Sequence, residues 1–295
     1  MSASGAAVLT PTPALQLLAD AADRLGDPQR RLYRAIAADY PASLAQRPSQ
    51  LLRQAQAAPH ELQDLLTAAG LGDYAELRVR AEREEDRSLP SPDIRYTARL
   101  AGRGAGRELL GRMIAREQQN LRLSLESGQA TGAFDLAAGR IVAARRRFVT
   151  GDLKSAAYAL MLSAELGQSM SNVVFVDGSS VRPLDVLCDV RSGDVLVAFC
   201  FRRYSRRTVT IAREFRAAGG AVIGLTDSAD SPLGLVSDLP VVVSTGSVSH
   251  ADSPTAVAAA VHVIATLATA SAKGAGRRLE RRNQLAATLQ SYEES

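Results

Sequence analysis

The sequence predicts an α/β protein, with a C-terminal doubly wound sheet of five parallel strands in flavodoxin-like order and an all-α N-terminal domain. Two observations carry this prediction. Beyond residue 146, short and continuously apolar segments alternate with helical segments, which is typical of a parallel sheet covered on both faces. Residues 28–71 instead show the apolar spacing of helices.

The five predicted strands share runs of consecutive apolar residues and cover 147–151, 172–177, 194–200, 221–227 and 240–244. The helices predicted between and after them cover 155–167, 205–218, 231–237, 257–271 and 277–290. With the strand order 2-1-3-4-5, the switch point of the sheet lies between the first and third strands. Ligands of such sheets bind there, beyond the carboxyl ends of the strands.

Three short helices are predicted in the N-terminal domain, over 30–40, 49–57 and 59–70. Pro59 in the first turn and Gly70 at the end of the third helix are the expected helix punctuation. The tight turn between the second and third helices predicts a helix-turn-helix, in a domain of residues 14–80. Residues 1–13 are small, contain proline and lack periodicity, which predicts a disordered tail.

The middle of the chain is predicted to connect two domains. Residues 81–106 are charged and spaced by proline and glycine, which favours a linker, and 107–127 have the spacing of a long amphipathic helix. Another helix is predicted over 134–146, near the start of a second domain that spans 128–295.

The composition is that of an ordinary globular chain, with 46% hydrophobic residues among 295 and a net charge of +4. The charge neither requires nor excludes nucleic acid. No apolar run has the length of a membrane span and the N-terminus does not resemble a signal peptide, so we expect a cytoplasmic protein that binds no membrane.

Cys188 and Cys200 both lie in apolar surroundings and are expected to be buried thiols, and the three histidines are scattered. The sequence therefore predicts no disulfide, no metal site and no cofactor.

Two strand–helix junctions carry a candidate anion site. They lie in FVTGDLKSAAYA (148–159) and DVLVAFCFRRYSRRTVTIAREF (194–215), and each passes from an apolar strand through a short turn into a helix. Helix N-termini present unpaired N–H groups and a positive dipole end, so two of them at one sheet edge predict an anion pocket. The predicted ligand-binding residues are Gly151, Asp152, Lys154, Ser155, Cys200, Arg202, Arg203 and Ser205.

The second junction also carries Arg206 and Arg207, so four arginines stand around one helix start. Arginine there opposes the helix dipole and therefore indicates a negatively charged partner, such as a phosphorylated small molecule. A solvated basic loop is the alternative explanation.

Other side chains near these junctions also have two explanations. Asp152 either accepts ligand hydroxyls or caps the next helix, and Lys154 either reaches a phosphate or is solvated. Cys200 follows an apolar strand and is expected to be a packed thiol and not a nucleophile, because no histidine lies near it in the sequence. Its position at the pocket edge leaves redox sensitivity as an alternative. His250 lies in a loop, where exposure is the ordinary explanation and a ligand role the other.

The ordered set of motifs resembles the RpiR family of bacterial transcriptional regulators over about residues 14–290. That family has an N-terminal helix-turn-helix, a helical linker and a C-terminal sugar isomerase (SIS) domain that binds phosphosugars. The segment AVIGLTDSADSPLGLVSD (221–238) is similar to the family's fourth strand, its Thr-Asp turn and its Ser-Pro-Leu helix start. TGDLKSAAYA stands where the family has a glycine-rich turn that ends in a phosphate-binding serine, here Ser155. DVLVAFCFRRYS stands where the family has a strand followed by Ser-x-Ser-Gly-x-Thr.

The second loop departs from the family pattern. Cys200 and Arg202 replace the two serines, Arg203 replaces the glycine, and Ser205 stands where threonine is usual. In the first loop, Leu153 and Lys154 replace small residues. Guanidinium groups bind carboxylate or phosphate in bidentate fashion, so the pocket is still expected to take an anion.

The helix-turn-helix departs further. Where the family's recognition helix has Ser, Thr and Arg, this chain has Ala58, Glu61 and Asp64, and the net charge of residues 48–80 is −1. Carboxylates there repel DNA, whose binding proteins usually contact several phosphates with Lys and Arg. The residues expected to contact DNA are Arg53, His60, Gln63, Thr67 and Arg78.

The resemblance implies a ligand-sensing regulator that forms a homodimer or homotetramer, binds a palindromic operator and has no catalytic residue. One alternative is a metabolite-binding SIS protein whose helix-turn-helix no longer binds DNA. The other is a sugar-phosphate isomerase, which needs a general base, usually Glu or His. No glutamate lies in either pocket loop of this sequence, and His250 is the only histidine close to a loop.

Overall fold

The computed structural model describes residues 13–291, apart from residues 39, 41, 46, 89–90 and 101–105. The predicted disordered tail, residues 1–13, lies outside the described residues except for Pro13. The chain divides into two compact units, Met1–Arg95 and Tyr96–Ser295.

The N-terminal unit is all helical in its described part. Its helices are α1 (Ala14–Arg24), α2 (Asp27–Ala37), α3 (Pro48–Ala55), α4 (Pro59–Ala68), α5 (Tyr74–Ser88) and α6 (Pro92–Arg99), the last of which runs across the division, with a 3₁₀ turn at Ala42–Ala45. One apolar stripe from each of the first five helices meets in a common core that includes Leu18, Leu32, Leu51, Leu65 and Leu77. Tertiary burial of these stripes stabilises helices that would be marginal alone.

The turn between α3 and α4 is three residues long and begins with Gln56 in the left-handed region, at φ 49°. Pro59 occupies the first turn of α4, as predicted. The Glu61 carboxylate accepts a hydrogen bond from the Ala58 N–H at 2.7 Å, so this acidic residue satisfies the start of the helix. Gly70, at φ 71°, follows the helix end.

Most of the described part of the predicted linker over 81–106 is helical, because α5 and α6 occupy it, and the division between the two units falls within this range. Although the composition of this range is that of a charged linker, Leu77 and Ala81 are buried at helical spacing and attach α5 to the core of the N-terminal unit. A solvated helix face and a charged linker have similar compositions, and only the buried stripe separates them.

The C-terminal unit is a three-layer α/β structure. Its helices are α7 (Arg107–Ala130), α8 (Ala133–Ala143), α9 (Lys154–Ser169), α10 (Pro183–Cys188), α11 (Arg206–Ala217), α12 (Thr255–Ser271) and α13 (Ala275–Thr288). Its strands are β1 (Arg146–Gly151), β2 (Val173–Val176), β3 (Asp194–Phe199), β4 (Ala221–Thr226) and β5 (Leu239–Val242).

The five strands are all parallel, and their order β2-β1-β3-β4-β5 confirms the predicted sheet. Alternate residues of each strand enter opposite cores, because side chains of a strand point to alternate faces. In β3, Val195, Val197 and Phe199 pack with α8, α9 and α12, whereas Leu196 and Ala198 pack with α11. Both faces of the sheet are therefore buried, as the continuously apolar strands predicted.

Three local expectations differ from the structure. The helix expected over 231–237 is a 3₁₀ turn of only Gly234–Val236, and α10 is a helix that the periodicity did not reveal. Cys188, expected to be buried, is exposed, because it ends α10, a helix with no buried residue, whereas Cys200 is buried.

None of the described helices is by itself long and apolar enough to cross a membrane. Taken together, α12 and α13 meet the criteria of a broken span by length and composition only, with a bend of 107° between them. Seven side chains of α12 are buried in the protein core.

Candidate functional site

A cavity of about 270 Å³ opens at the carboxyl edge of the sheet, beyond β1 and β3. This is the switch point of the sheet, where the strand order reverses. Seven of the eight predicted ligand-binding residues line it, namely Asp152, Lys154, Ser155, Cys200, Arg202, Arg203 and Ser205. We call it the switch-point cavity.

The eighth predicted residue, Gly151, is not among the lining residues and has a steric role. It is the last residue of β1, and a Cβ atom there would lie 2.5 Å from the carbonyl oxygen of Ser155. The absence of a side chain lets the first turn of α9 fold back against the strand, which brings Ser155 to the cavity.

Leu153, between β1 and α9, has φ 53° and ψ −126°. A residue with a Cβ is strained in this conformation, which glycine adopts readily. The Leu153 side chain is 81% exposed, so no burial compensates for the strain. The strained turn directs the start of α9 toward the cavity.

Asp152 and Ser205 connect the two predicted loops. The Ser205 hydroxyl donates a hydrogen bond to the Asp152 carboxylate at 2.8 Å and accepts one from the Thr208 N–H at 3.3 Å. Ser205 is thereby the N-cap of α11. Asp152 also accepts from the Leu153 N–H at 3.0 Å, so one carboxylate fixes the geometry of both helix starts.

Arg203 has φ 60°, in the left-handed region that favours glycine. Next to it, the Tyr204 hydroxyl donates to the Asp227 carboxylate at 3.2 Å, and Asp227 also accepts from Thr226 at 3.2 Å. Burial raises the pKa of Asp227 above its ordinary value despite these hydrogen bonds. The partly buried Tyr204–Asp227 pair anchors the loop that carries Arg202 and Arg203 at the cavity.

The loop after β5 contributes a third wall, which was not among the predicted ligand-binding residues. Thr245, Asp252 and Ser253 line the cavity, and the Lys154 ammonium donates a hydrogen bond to the Asp252 carbonyl oxygen. Three cations and two carboxylates thus surround the cavity, so its electrostatic balance is positive. The missed signal is the polar run STGSVSHADS, which follows the last strand of the sheet.

Aromatic side chains form the inner wall. Tyr158 lies edge-on to Phe201 with ring centroids 6.0 Å apart, and its centroid is 6.4 Å from that of Phe199. Burial, with the nearby Asp252 charge as a second cause, raises the pKa of Tyr158 to about 12. Its hydroxyl is therefore protonated at neutral pH. The cavity offers an apolar floor below a charged rim.

The Cys200 thiol lies at the cavity with its sulfur 3.9 Å from the Ser205 carbonyl oxygen. Burial raises the pKa of this thiol to about 11. A protonated thiol is a poor nucleophile, which fits a packed residue.

Arg206 and Arg207 do not line the cavity. Arg207 packs over Gly178 beyond the end of β2, where a Cβ would lie 1.7 Å from a guanidinium nitrogen. His250 is exposed and its Nδ1 lies 3.2 Å from the Ser249 hydroxyl. Two of the four arginines of the second junction, Arg202 and Arg203, therefore meet at the cavity.

Helix α7 is hydrogen-bonded to the third wall of the cavity. The Ser253 hydroxyl donates to the Glu117 carboxylate. The buried Asn120 amide donates to the Gly246 carbonyl at 2.7 Å, and its oxygen accepts from Ser244 at 3.0 Å. One turn further along α7, Ser124 accepts from the Ser244 N–H at 2.9 Å. The loop of residues 244–253 therefore touches α7 on one side and the cavity on the other.

The predicted DNA-contacting residues lie on α3, α4 and α5. Arg53, His60, Gln63 and Thr67 are exposed, and Arg78 is half-buried. The Gln63 amide donates to the Gly72 carbonyl at 2.9 Å and to the Thr67 hydroxyl at 3.4 Å. Gln63 thus links α4 to the turn that follows it.

No group of three or more His, Cys, Asp or Glu side chains that could hold a metal ion occurs in the described part of the chain.

Residues 140–272 match the family model of the SIS domain. The RpiR transcription factor from Sphaerobacter thermophilus (sugar isomerase domain) is 24% identical, with a TM-score of 0.56 over 60% of this chain and 99% of that chain. The Vibrio vulnificus NanR protein complexed with ManNAc-6P is 14% identical, with a TM-score of 0.51 over 94% of this chain and 98% of that one.

A phosphoheptose isomerase from Francisella tularensis is 14% identical with a TM-score of 0.43, over 54% of this chain and 95% of that chain. A comparison with curated protein sequences finds no match. The C-terminal unit has the SIS fold, and a helical region precedes it.

Proposed function

We propose that this protein is a DNA-binding transcriptional regulator whose SIS domain senses an anionic metabolite, a sugar phosphate, in the switch-point cavity. The observation that carries the proposal is that the loop of residues 244–253 lines this cavity and also hydrogen-bonds α7. An enzyme needs the cavity alone, whereas a sensor also needs a physical connection from its ligand to another part of the chain.

The lining of the cavity suits a phosphorylated sugar. Lys154, Arg202 and Arg203 provide positive charge at the rim, and guanidinium groups bind phosphate in bidentate fashion. The helices α9 and α11 both begin there, so their dipoles add to the attraction for an anion. Asp152 and Asp252 are acceptors for hydroxyl groups, and the aromatic floor suits the apolar face of a sugar ring.

Signal transmission would begin at the third wall. A ligand that contacts Thr245 or Ser253 favours one arrangement of the loop, and that loop hydrogen-bonds Glu117 and Asn120 of α7. In sequence, α7 follows the N-terminal unit. A ligand shifts an equilibrium by its differential affinity for the two states, so ligand-bound and ligand-free loops would bias α7 differently.

In the proposed regulator, α3 and α4 form the helix-turn-helix, with α4 as the recognition helix. Arg53, His60, Gln63, Thr67 and Arg78 are the proposed DNA contacts. Since Glu61 caps α4, its presence is compatible with DNA binding. We further propose that the chain acts as a homodimer or homotetramer on a palindromic operator, because a two-fold protein presents two equivalent recognition helices.

The proposal is tested by calorimetric titration of the purified chain with a panel of hexose and amino-sugar phosphates, with a turnover assay on the same panel. We expect saturable binding of one panel member without turnover. Failure of every member to bind, while the protein retains its helical circular dichroism spectrum, would refute a phosphosugar sensor.

A sugar-phosphate isomerase is the second candidate, and one structural observation favours it. Glu117 reaches Ser253, a residue of the cavity wall, although no glutamate occurs in the two loops first considered. Aldose–ketose isomerisation needs a base beside the substrate carbon or one water away from it. Glu117 is a carboxylate next to the wall and does not itself line the cavity, so it would act through a water. Phosphosugar turnover that Glu117→Gln abolishes, and that Glu126→Gln on the same helix leaves intact, would favour this candidate.

The third candidate is a metabolite-binding SIS protein whose helix-turn-helix binds a protein partner instead of DNA. The exposed Asp64 and the engaged amide of Gln63 favour it. Asp64→Arg combined with Glu61→Thr should then create DNA affinity that the wild type lacks. Salt-dependent binding of the wild-type protein to an operator would contradict it.

A further inference from the structure

A second cavity, of about 430 Å³, lies at the amino edge of the sheet, opposite the switch-point cavity. It is bounded by the start of β1, the end of α9 and the segment between α12 and α13. Its lining contains three cationic side chains and three serines, and no acidic and no aromatic residue: Arg147, Lys273, Arg278, Ser169, Ser171 and Ser271. We call it the amino-edge cavity.

Arg147 is the buried cation of this cavity, with 8% of its surface exposed. Its guanidinium donates to the carbonyl oxygens of Ile141 at 2.6 Å, Val142 at 2.9 Å and Ser171 at 3.2 Å. No carboxylate pairs with it among the described residues. Buried charges are ordinarily paired, and three carbonyl dipoles leave two of its five N–H groups for another acceptor.

The other two cations lie at the exposed rim. Arg278 donates to the Gly167 carbonyl at 3.2 Å, at the end of α9, which orients its guanidinium beside the opening. Lys273 has no ionic partner in the part of the chain that the structure describes. Next to it, Gly274 is the N-cap of α13; its backbone has φ 82°, and no side chain caps the helix. The first N–H groups of this 14-residue helix therefore add to the positive potential.

We propose that the amino-edge cavity is a second anion-binding site, which takes a small, multiply charged phosphate or polycarboxylate. Three side chains of the lining are positively charged and no lining residue is acidic. Two of the three are arginines, whose guanidinium groups are suited to planar or tetrahedral oxyanions. The lack of aromatic lining residues excludes stacking on a nucleobase as the source of affinity. The hydroxyls of Ser171 and Ser271 supply further donors around the anion, whereas the Ser169 hydroxyl is already hydrogen-bonded to that of Thr269 at 2.7 Å.

The two cavities are separate sites, one at each end of α9. Lys154, at the start of α9, lines the switch-point cavity, and Ser169, at the end of α9, lines the amino-edge cavity. The helix between them rises about 22 Å at 1.5 Å per residue. One small anion therefore cannot occupy both, and each site has its own set of cations.

The test is calorimetric titration of the full chain with inorganic phosphate, pyrophosphate and citrate. Lys273→Gln/Arg278→Gln removes the two exposed cations of the cavity, so the fold should be retained. Arg281→Gln/Arg282→Gln is the matched control, with the same charge change one turn further along α13 and outside the cavity lining. Arg202→Gln/Arg203→Gln reports on the switch-point cavity.

We expect saturable binding of pyrophosphate or citrate to the wild type, weakened at least tenfold by Lys273→Gln/Arg278→Gln and altered less than twofold by the other two double variants. Absence of saturable binding for all three anions would overturn the proposal. Equal weakening by the control on α13, or loss only in the variant of the switch-point cavity, would overturn it as well. None of these results depends on whether the chain binds DNA or a sugar phosphate.

Discussion

Leu153 and Arg203 both have positive φ, and both line the switch-point cavity. Each occupies a turn between a strand and a helix, where glycine would be unstrained. Strained backbone persists where the surrounding structure holds it, and it clusters at ligand sites. The strained Arg203 backbone therefore indicates a role for its side chain, which brings a positive charge to the cavity rim.

Replacing Leu153 by glycine should increase the free energy of unfolding by about 1 kcal/mol, because relief of strain exceeds the entropy that glycine loses on folding. Urea denaturation monitored by circular dichroism measures the change. Leu153→Ala is the control, since alanine keeps the Cβ and with it the strain. If the glycine variant is no more stable than the alanine variant, the Leu153 conformation carries no strain.

Arg202→Ala and Arg203→Ala should each weaken binding of the cognate anion by about 1–3 kcal/mol, the scale of a charge-assisted hydrogen bond. The measurement is calorimetric titration with the phosphosugar that the panel identifies. Arg206→Ala, an equal charge change just outside the cavity lining, should change the affinity much less. Unchanged affinity in both cavity variants would remove these arginines from the site.

The two cysteines should differ in reactivity. Burial raises the pKa of Cys200 to about 11, so its thiolate is scarce below that pH, whereas Cys188 is exposed. At pH 8, iodoacetamide should modify one thiol per native chain rapidly, and Cys188→Ala should abolish this fast phase. Rapid modification of Cys200 in that variant, followed by mass spectrometry, would contradict its burial.

At the scale of elements, α7 is the helix on which the regulator proposal depends. Its Glu117 and Asn120 hydrogen-bond the loop after β5, which also forms a wall of the switch-point cavity. The loop has few regular backbone pairs, so its conformation depends on these side-chain contacts. An element held this way is suited to two alternative arrangements.

Glu117→Ala should uncouple the ligand from its effect. Ligand affinity should stay within about twofold of wild type, because Glu117 does not line the cavity, whereas the ligand-induced change in DNA affinity should fall by at least half. The measurement compares operator binding with and without ligand. Glu126→Ala, exposed on the same helix, is the control, and an unaltered ligand response in Glu117→Ala would exclude this route.

Local patterns were sufficient to locate the strands of the sheet, whose order was expected from the fold class. Continuous apolar runs and helical spacing are local properties, so the strands and the helices α9, α11 and α12 could be located from sequence. They did not reveal α5 and α6, whose charged faces resemble a linker. The third wall, with Thr245, Asp252 and Ser253, is marked in the sequence only by a polar run after the last strand, and tertiary contacts bring it to the cavity.

The first two walls of the cavity were predictable for a physical reason. Parallel strands end at the same edge, so residues after β1 and β3 must meet there. The steric role of Gly151 depends on its close approach to the Ser155 backbone, and the position of Arg207 outside the cavity depends on its contact with Gly178. No periodic pattern in the sequence indicates either contact. The sequence pattern therefore predicts that the two loops meet, but it does not predict in which direction each side chain points.

At the scale of the whole molecule, charge is unevenly distributed along the chain. The net charge is +4 overall, yet residues 48–80, which include the proposed recognition helix, carry −1. Phosphate contacts make DNA binding salt-dependent. With only Arg53 and Arg78 as proposed cationic contacts in each copy, operator binding should show a shallower salt dependence than a strongly basic helix-turn-helix would.

The most direct measurement is fluorescence anisotropy of the purified chain with DNA from upstream of its own coding sequence, over a salt series, with and without the phosphosugar that binds. The account predicts sequence-specific, salt-sensitive binding to a palindromic site, with an affinity that changes when the phosphosugar is added. Equal affinity for upstream and scrambled DNA, in the presence and the absence of a phosphosugar that calorimetry shows to bind, would contradict the account and leave a SIS protein that senses without DNA.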